Sequence, residues 1–185
     1  MPNVYRSLVH GCALLVPVLA DATSKSLALT GLLLVTLLYA LEELLRLKGR
    51  NVPLMTQFTV RMSRPEERVG FIAKPIYLAL GVILALIIFP RSVAYASIVV
   101  VAVGDPVAGY VGERFGRRHV GKKTWEGFLA GTVAACPGTL LLVPPIAGLV
   151  GSIVGMLFEF SGVLDDDLTV PLSAGVTMIL IGMLA

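Results

Sequence analysis

Ser92-Val93-Ala94-Tyr95-Ala96-Ser97-Ile98-Val99-Val100-Val101-Ala102-Val103-Gly104-Asp105-Pro106-Val107-Ala108-Gly109-Tyr110-Val111-Gly112 carries one formal charge, at Asp105. A bilayer core about 30 Å thick takes about 20 mainly apolar residues per helix. The stretch fits that length, so it predicts a transmembrane helix with a carboxylate inside it. Hydrocarbon offers no partner to an open sheet edge, so the other apolar runs are expected to be helices as well and strands are not.

Outward from this stretch, further apolar runs lie near 7–20, 27–47, 75–90, 126–143, 146–160 and 168–185. The expected fold is an all-α, polytopic helical bundle of about seven transmembrane helices, forming one membrane-embedded domain over residues 1–185. Composition agrees: 56% of the 185 residues are hydrophobic and 15% charged, against about 45–50% and about 25% in water-soluble domains. Arg6, the apolar run after it and Ala20-Asp21-Ala22 resemble a signal peptide. His10 and Pro17 interrupt that run, which is read as a retained helix.

Lys and Arg favour the cytoplasmic side of a membrane. With seven spans, thirteen of the fifteen fall on one side, in the segments around Arg6, 46–74 and 113–125, leaving Lys25 and Arg91 opposite. This predicts a cytoplasmic N-terminus. The acidic run Asp165-Asp166-Asp167 then shares the cytoplasmic side with the basic loops. The polar segment 46–74 has no clean helical stripe and is left unassigned, an interfacial helix being one option. Cys12 and Cys136 sit in apolar runs without metal-ligand or disulfide spacing. No basic face interleaved with aromatics suggests nucleic acid.

An ionisable group at the centre of a span costs about 2.5–3.5 kcal/mol, so Asp105 calls for a use. Helical spacing aligns Asp105, Gly109, Gly112 and Gly116, and likewise Gly148, Gly151, Gly155 and Glu159. Such faces allow close approach of a ligand. They also suit helix packing, within or between chains, as do Gly127, Gly131 and Ala135. The loop after the fourth run holds Arg117, Arg118, Lys122 and Lys123 among glycines, a composition suited to polyphosphate. Thr124 is placed to cap the next helix. Asp166 and Asp167 offer hard oxygen ligands for Mg²⁺, and Asp167 is the expected N-cap of the last helix. Carboxylates, cations and glycine faces on one side suit phosphoryl or nucleotidyl transfer to a lipid head group.

Gly104-Asp105-Pro106-Val107-Ala108, Gly112, Phe115-Gly116, Lys123-Thr124-Trp125-Glu126-Gly127 and Asp166-Asp167-Leu168-Thr169-Val170-Pro171 together resemble the CTP-dependent polyprenol kinase family. That family includes dolichol kinases, phytol kinases and CTP-dependent diacylglycerol kinases. Arg6 with His10, Glu43 with Arg46, and Arg64 with Glu67 extend the resemblance more weakly upstream. It implies a multi-pass enzyme that phosphorylates a lipid alcohol with CTP and Mg²⁺. The resemblance implies catalytic roles for Asp105, Lys123, Glu126, Glu159 and Asp166. Asp105, Asp166 and Asp167 become metal candidates. Arg117, Arg118, Lys122, Lys123, Thr124, Gly109, Gly112 and Gly116 become nucleotide-site candidates. The family usually has Asn at the position of Asp167, and often Lys at that of Ser7. Either Glu126 or Glu159 could take the acceptor's proton.

The Lys-Lys-Thr-Trp-Glu-Gly element is similar to one in CDP-diacylglycerol and CDP-archaeol synthases, which transfer CMP to a lipid phosphate. Those end with basic residues in their last helices, whereas this chain has no Lys or Arg after Lys123, which favours the kinase. A transporter using Asp105 and Glu159 as intramembrane relays is the remaining alternative.

Overall fold

Proline and capping side chains set most of the helix starts in the computed structural model, which describes residues 4–50, 57, 59–61, 70–162 and 165–184. Eight helices carry the fold among them: α1 (Val4–Cys12), α2 (Leu15–Ala22), α3 (Lys25–Leu47), α4 (Lys74–Ile88), α5 (Arg91–Phe115), α6 (Trp125–Leu140), α7 (Pro145–Ser161) and α8 (Asp166–Leu184). Ser24 caps α3, its Oγ accepting from the Leu27 amide at 3.1 Å. Thr124 caps α6 in the same way through the Gly127 amide, as the sequence leads one to expect. Pro75 and Pro145 sit in the first turns of α4 and α7, where a missing N–H costs nothing. Gly162, at φ +58°, closes α7, a left-handed conformation that glycine adopts without strain.

Three helices, α3, α5 and α8, are long and apolar enough to cross a membrane, and α4 and α7 are shorter apolar helices. The apolar window of α5 is 67% buried, against 17% for that of α3. The Asp105 helix is therefore central and α3 peripheral. Leu33, Leu34, Leu37, Leu38, Leu41 and Leu44 of α3 are all at least half exposed.

Four expectations are corrected. The first apolar run is two helices rather than one, because Pro17 has no N–H for the Ala13 carbonyl and its ring crowds that carbonyl. The Ala13 carbonyl is taken instead by the Val16 amide, in a tight turn. Two short strands do occur: β1 (His119–Val120) pairs antiparallel with β2 (Lys123–Thr124). They lie in the polar loop, where the hydrocarbon argument does not apply. Gly121, at φ +60°, opens their two-residue turn, a position that suits glycine. The N-cap of α8 is Asp165, whose Oδ1 accepts from the Asp167 amide at 3.2 Å, because the Asp167 side chain is turned inward to His10.

The fourth correction concerns the glycine faces. Those of α6 and α7 are closed by packing inside the chain rather than left for a ligand, whereas Gly109, Gly112 and Gly116 of α5 line a cavity. A Cβ at Gly131 would press on the Gly104 carbonyl and Met156, one at Gly127 on the Ala108 carbonyl, and one at Gly155 on Ala174 and Val100. Gly148 lies against Thr139 and Gly151 against Met178. These contacts draw α5, α6, α7 and α8 together around buried Ile98, Val100, Val101, Met156 and Met178.

α5 is not uniform. It is α-helical over Arg91–Val99, widens to a π turn over Val100–Gly104, and returns to α-helix at Asp105. Pro106 cannot donate to the carbonyl four residues earlier, and the wide turn accommodates that gap. At the Arg91 end of the bundle, Asp21 accepts from the Tyr95 hydroxyl at 2.6 Å and pairs with Arg91 at 2.6 Å. The polar segment 46–74 lies mostly outside the described residues. Its last residues are pinned to α3: the Ile72 amide donates to Glu43 at 2.7 Å, and Arg46 donates to the Gly70 carbonyl at 2.6 Å.

Candidate functional site

At the end of the bundle opposite Arg91, six elements deliver charged side chains to one cavity of about 910 Å³, α4 among them through Lys74. The π turn is followed directly by Asp105, in the first turn of the renewed α-helix. The last turns of α7 bring Glu159, and the first turn of α8 brings Asp166, with Asp167 buried behind the cavity lining. Lys123 comes from the hairpin and His10 from α1. All four carboxylates and His10 are buried.

Asp105, Glu159 and Asp166 each place a carboxylate oxygen within 4.8 Å of the other two. Lys123 Nζ donates to Asp166 Oδ2 at 2.7 Å and to Glu159 Oε1. Burial works against the Lys123 charge, but Glu159, Asp166 and Asp105 outweigh it and hold the ammonium above the ordinary lysine range. Asp166 Oδ1 is buried with no hydrogen-bond partner. A buried carboxylate oxygen normally has one, so the cluster has room for a further cation. Three hard oxygen donors at this spacing suit a hard divalent cation such as Mg²⁺.

A second group of ligand atoms shares Asp105. His10 Nε2 stands 3.0 Å from Asp105 Oδ2 and 2.6 Å from Asp167 Oδ1, while Nδ1 donates to the Arg6 carbonyl at 3.0 Å. Asp167 Oδ2 has no hydrogen bond, with Lys74 Nζ at 3.7 Å; Lys74 pairs more closely with Asp165, at 3.0 Å.

The candidates of the basic loop separate. Lys122, Lys123, Thr124 and the three glycines Gly109, Gly112 and Gly116 line the cavity, and Arg117, Arg118 and Glu126 are not among its lining residues. Glu126 is half-buried, and its Oε2 accepts the Arg117 and Arg118 amides at 3.1 and 3.2 Å, which shapes the loop. Gly112 and Gly116 lie against the Thr124 side chain, whereas a Cβ at Gly109 would meet nothing within 4 Å. Two residues that matter here, His10 and Lys74, carry little sequence signal. His10 stands out as a polar interruption four residues after Arg6 and as part of the weak upstream resemblance, and Lys74 as one of many basic residues. Their partners lie far along the chain.

No protein-family model, curated protein or solved structure matches the chain.

Proposed function

We propose that the chain is a CTP-dependent lipid-alcohol phosphotransferase, working at the cytoplasmic face of a membrane that it crosses about seven times with its N-terminus inside. One observation supports this most: Asp105, Glu159, Asp166 and Lys123, from four separate elements, meet at the wall of one cavity. Asp105, Glu159 and Asp166 would hold Mg²⁺, which would supply positive charge against that of the phosphates. Lys122 and Lys123 neutralise the polyphosphate, and Arg6 and Lys74, on the same cavity, add to the positive field. Glu159 is the better placed carboxylate to take the proton of the acceptor hydroxyl, since it lines the cavity and Glu126 does not. The γ-phosphoryl group passes to the hydroxyl oxygen, and CDP leaves. In such reactions positioning and charge neutralisation do most of the work. The choice of CTP and of a lipid alcohol follows from the motif resemblance.

The test supplies purified protein with γ-labelled CTP, Mg²⁺ and a panel of dolichol, phytol, geranylgeraniol, diacylglycerol and an archaeal glycerol ether. Label moving to one of them is the expected result. No transfer to any acceptor would count against the reading. Pyrophosphate release with a CDP-lipid formed from a lipid phosphate would favour a cytidylyltransferase instead.

A further inference from the structure

We infer a second metal site, made by His10, Asp105 and Asp167, which shares Asp105 with the Mg²⁺ site and prefers an ion that accepts an imidazole beside carboxylates, such as Mn²⁺ or Zn²⁺. It deepens the reading above, because one carboxylate serves both sites.

The geometry carries it. The three residues offer ligand atoms that all lie within 4.8 Å of one another. His10 is 3% exposed and Asp167 1%. Ligating histidines almost always donate their other ring N–H to a carbonyl or carboxylate, which fixes the ring. His10 does so through Nδ1 to the Arg6 carbonyl, leaving Nε2 facing Asp105 and Asp167. An independent sign is Asp167 Oδ2, a buried carboxylate oxygen without a hydrogen bond. Each of the two clusters thus contains one such oxygen, Asp166 Oδ1 in the first and Asp167 Oδ2 in the second.

The donor sets differ in kind. Oxygen alone at Asp105, Glu159 and Asp166 suits Mg²⁺, whereas an imidazole nitrogen with two carboxylates suits Mn²⁺ or Zn²⁺. Two ions sharing a carboxylate form the kind of pair, about 3.5–4 Å apart, that clamps the attacking and leaving oxygens of a displacement.

The test uses tag-free protein in detergent, without nucleotide, titrated with Mn²⁺. Pulsed electron paramagnetic resonance then looks for nitrogen couplings on the bound ion. The chain has two histidines, so the source can be assigned. We expect two Mn²⁺ per chain with nitrogen coupling from one. His10→Asn should leave one Mn²⁺ without nitrogen coupling. Asp166→Asn should leave the nitrogen-coupled ion, and His119→Asn should change neither. One Mn²⁺ per chain, or wild-type protein without nitrogen coupling, would overturn the inference without need of any variant. Coupling that survives in His10→Asn would also overturn it. Phosphoryl transfer from labelled CTP is scored separately, so loss of the second ion and loss of the kinase reading are distinct results.

Discussion

Lys123→Met removes the one ammonium bonded to both Glu159 and Asp166 while keeping much of the side chain's bulk. Those carboxylates are 3% and 11% exposed at the side chain, and Asp105 lies beside them. Breaking a buried pair by removing one partner costs about 3–5 kcal/mol, because the remaining charge is left uncompensated. For a chain of this length that is on the order of 10 °C in Tm. The loss should appear in full only with divalent ions chelated. A bound ion contributes about 2.7 kcal/mol at a hundred times its Kd, so Mg²⁺ should restore much of the variant's stability. Wild-type protein should gain less, since Lys123 already neutralises the site and competes with the ion. Unfolding in detergent is followed by helical circular dichroism. Emission from Trp125, which packs on Phe160 at 4.8 Å between ring centroids, reports local loosening. A variant within about 1 kcal/mol of wild type in chelator, or an equal Mg²⁺ response in both proteins, would refute the reasoning.

Asp105→Asn should reduce phosphoryl transfer by at least about a hundredfold with helical content unchanged; full activity in labelled-CTP assays would remove Asp105 from the reaction. Gly131→Ala should destabilise by about 1–3 kcal/mol, since its Cβ would meet the Gly104 carbonyl and Met156. Gly109→Ala should be neutral or stabilise by up to about 1 kcal/mol, with open space at that Cβ; detergent unfolding of the pair checks both. A lysine held above its ordinary range contributes stability that is complete below that range and lost only as pH rises through the raised folded value. The Tm gap between wild type and Lys123→Met should therefore not close from about pH 7 to 9, and a gap closing toward the alkaline end would contradict the assignment.

The helices were legible in the sequence because apolar length and capping chemistry are local. Ser24, Thr124 and the prolines of α4 and α7 mark their own helix starts. The hairpin was legible too, in principle: Gly121 between His119-Val120 and Lys123-Thr124 carries a turn signal, but the membrane argument masked it. Asp105, Lys123, Glu159 and Asp166 could be singled out as charges among apolar or glycine-rich neighbours. What could not be read was pairing. His10 meets Asp167 across 157 positions, and no local pattern encodes that contact. The glycine faces show the complementary difficulty. A bare helix face looks the same in sequence whether it awaits a ligand or a neighbouring helix, and only the positions of Met156, Met178 and Thr139 decide it.

The π turn of α5 has a consequence for how the chain tolerates change. A wide turn of this kind is what one surplus residue leaves in a helix fixed at both ends. Here Arg91 and Tyr95 anchor one end through Asp21, and His10 holds Asp105 at the other. Deleting a single residue from Val100–Gly104 would let the helix wind regularly between the same two anchors, with Asp105 kept in register and the Pro106 ring brought against the carbonyl four residues before it. An apolar tract of interchangeable valines thus carries one residue of slack: a first deletion there is absorbed by the wide turn, and a second would swing Asp105 by about 100° around the axis.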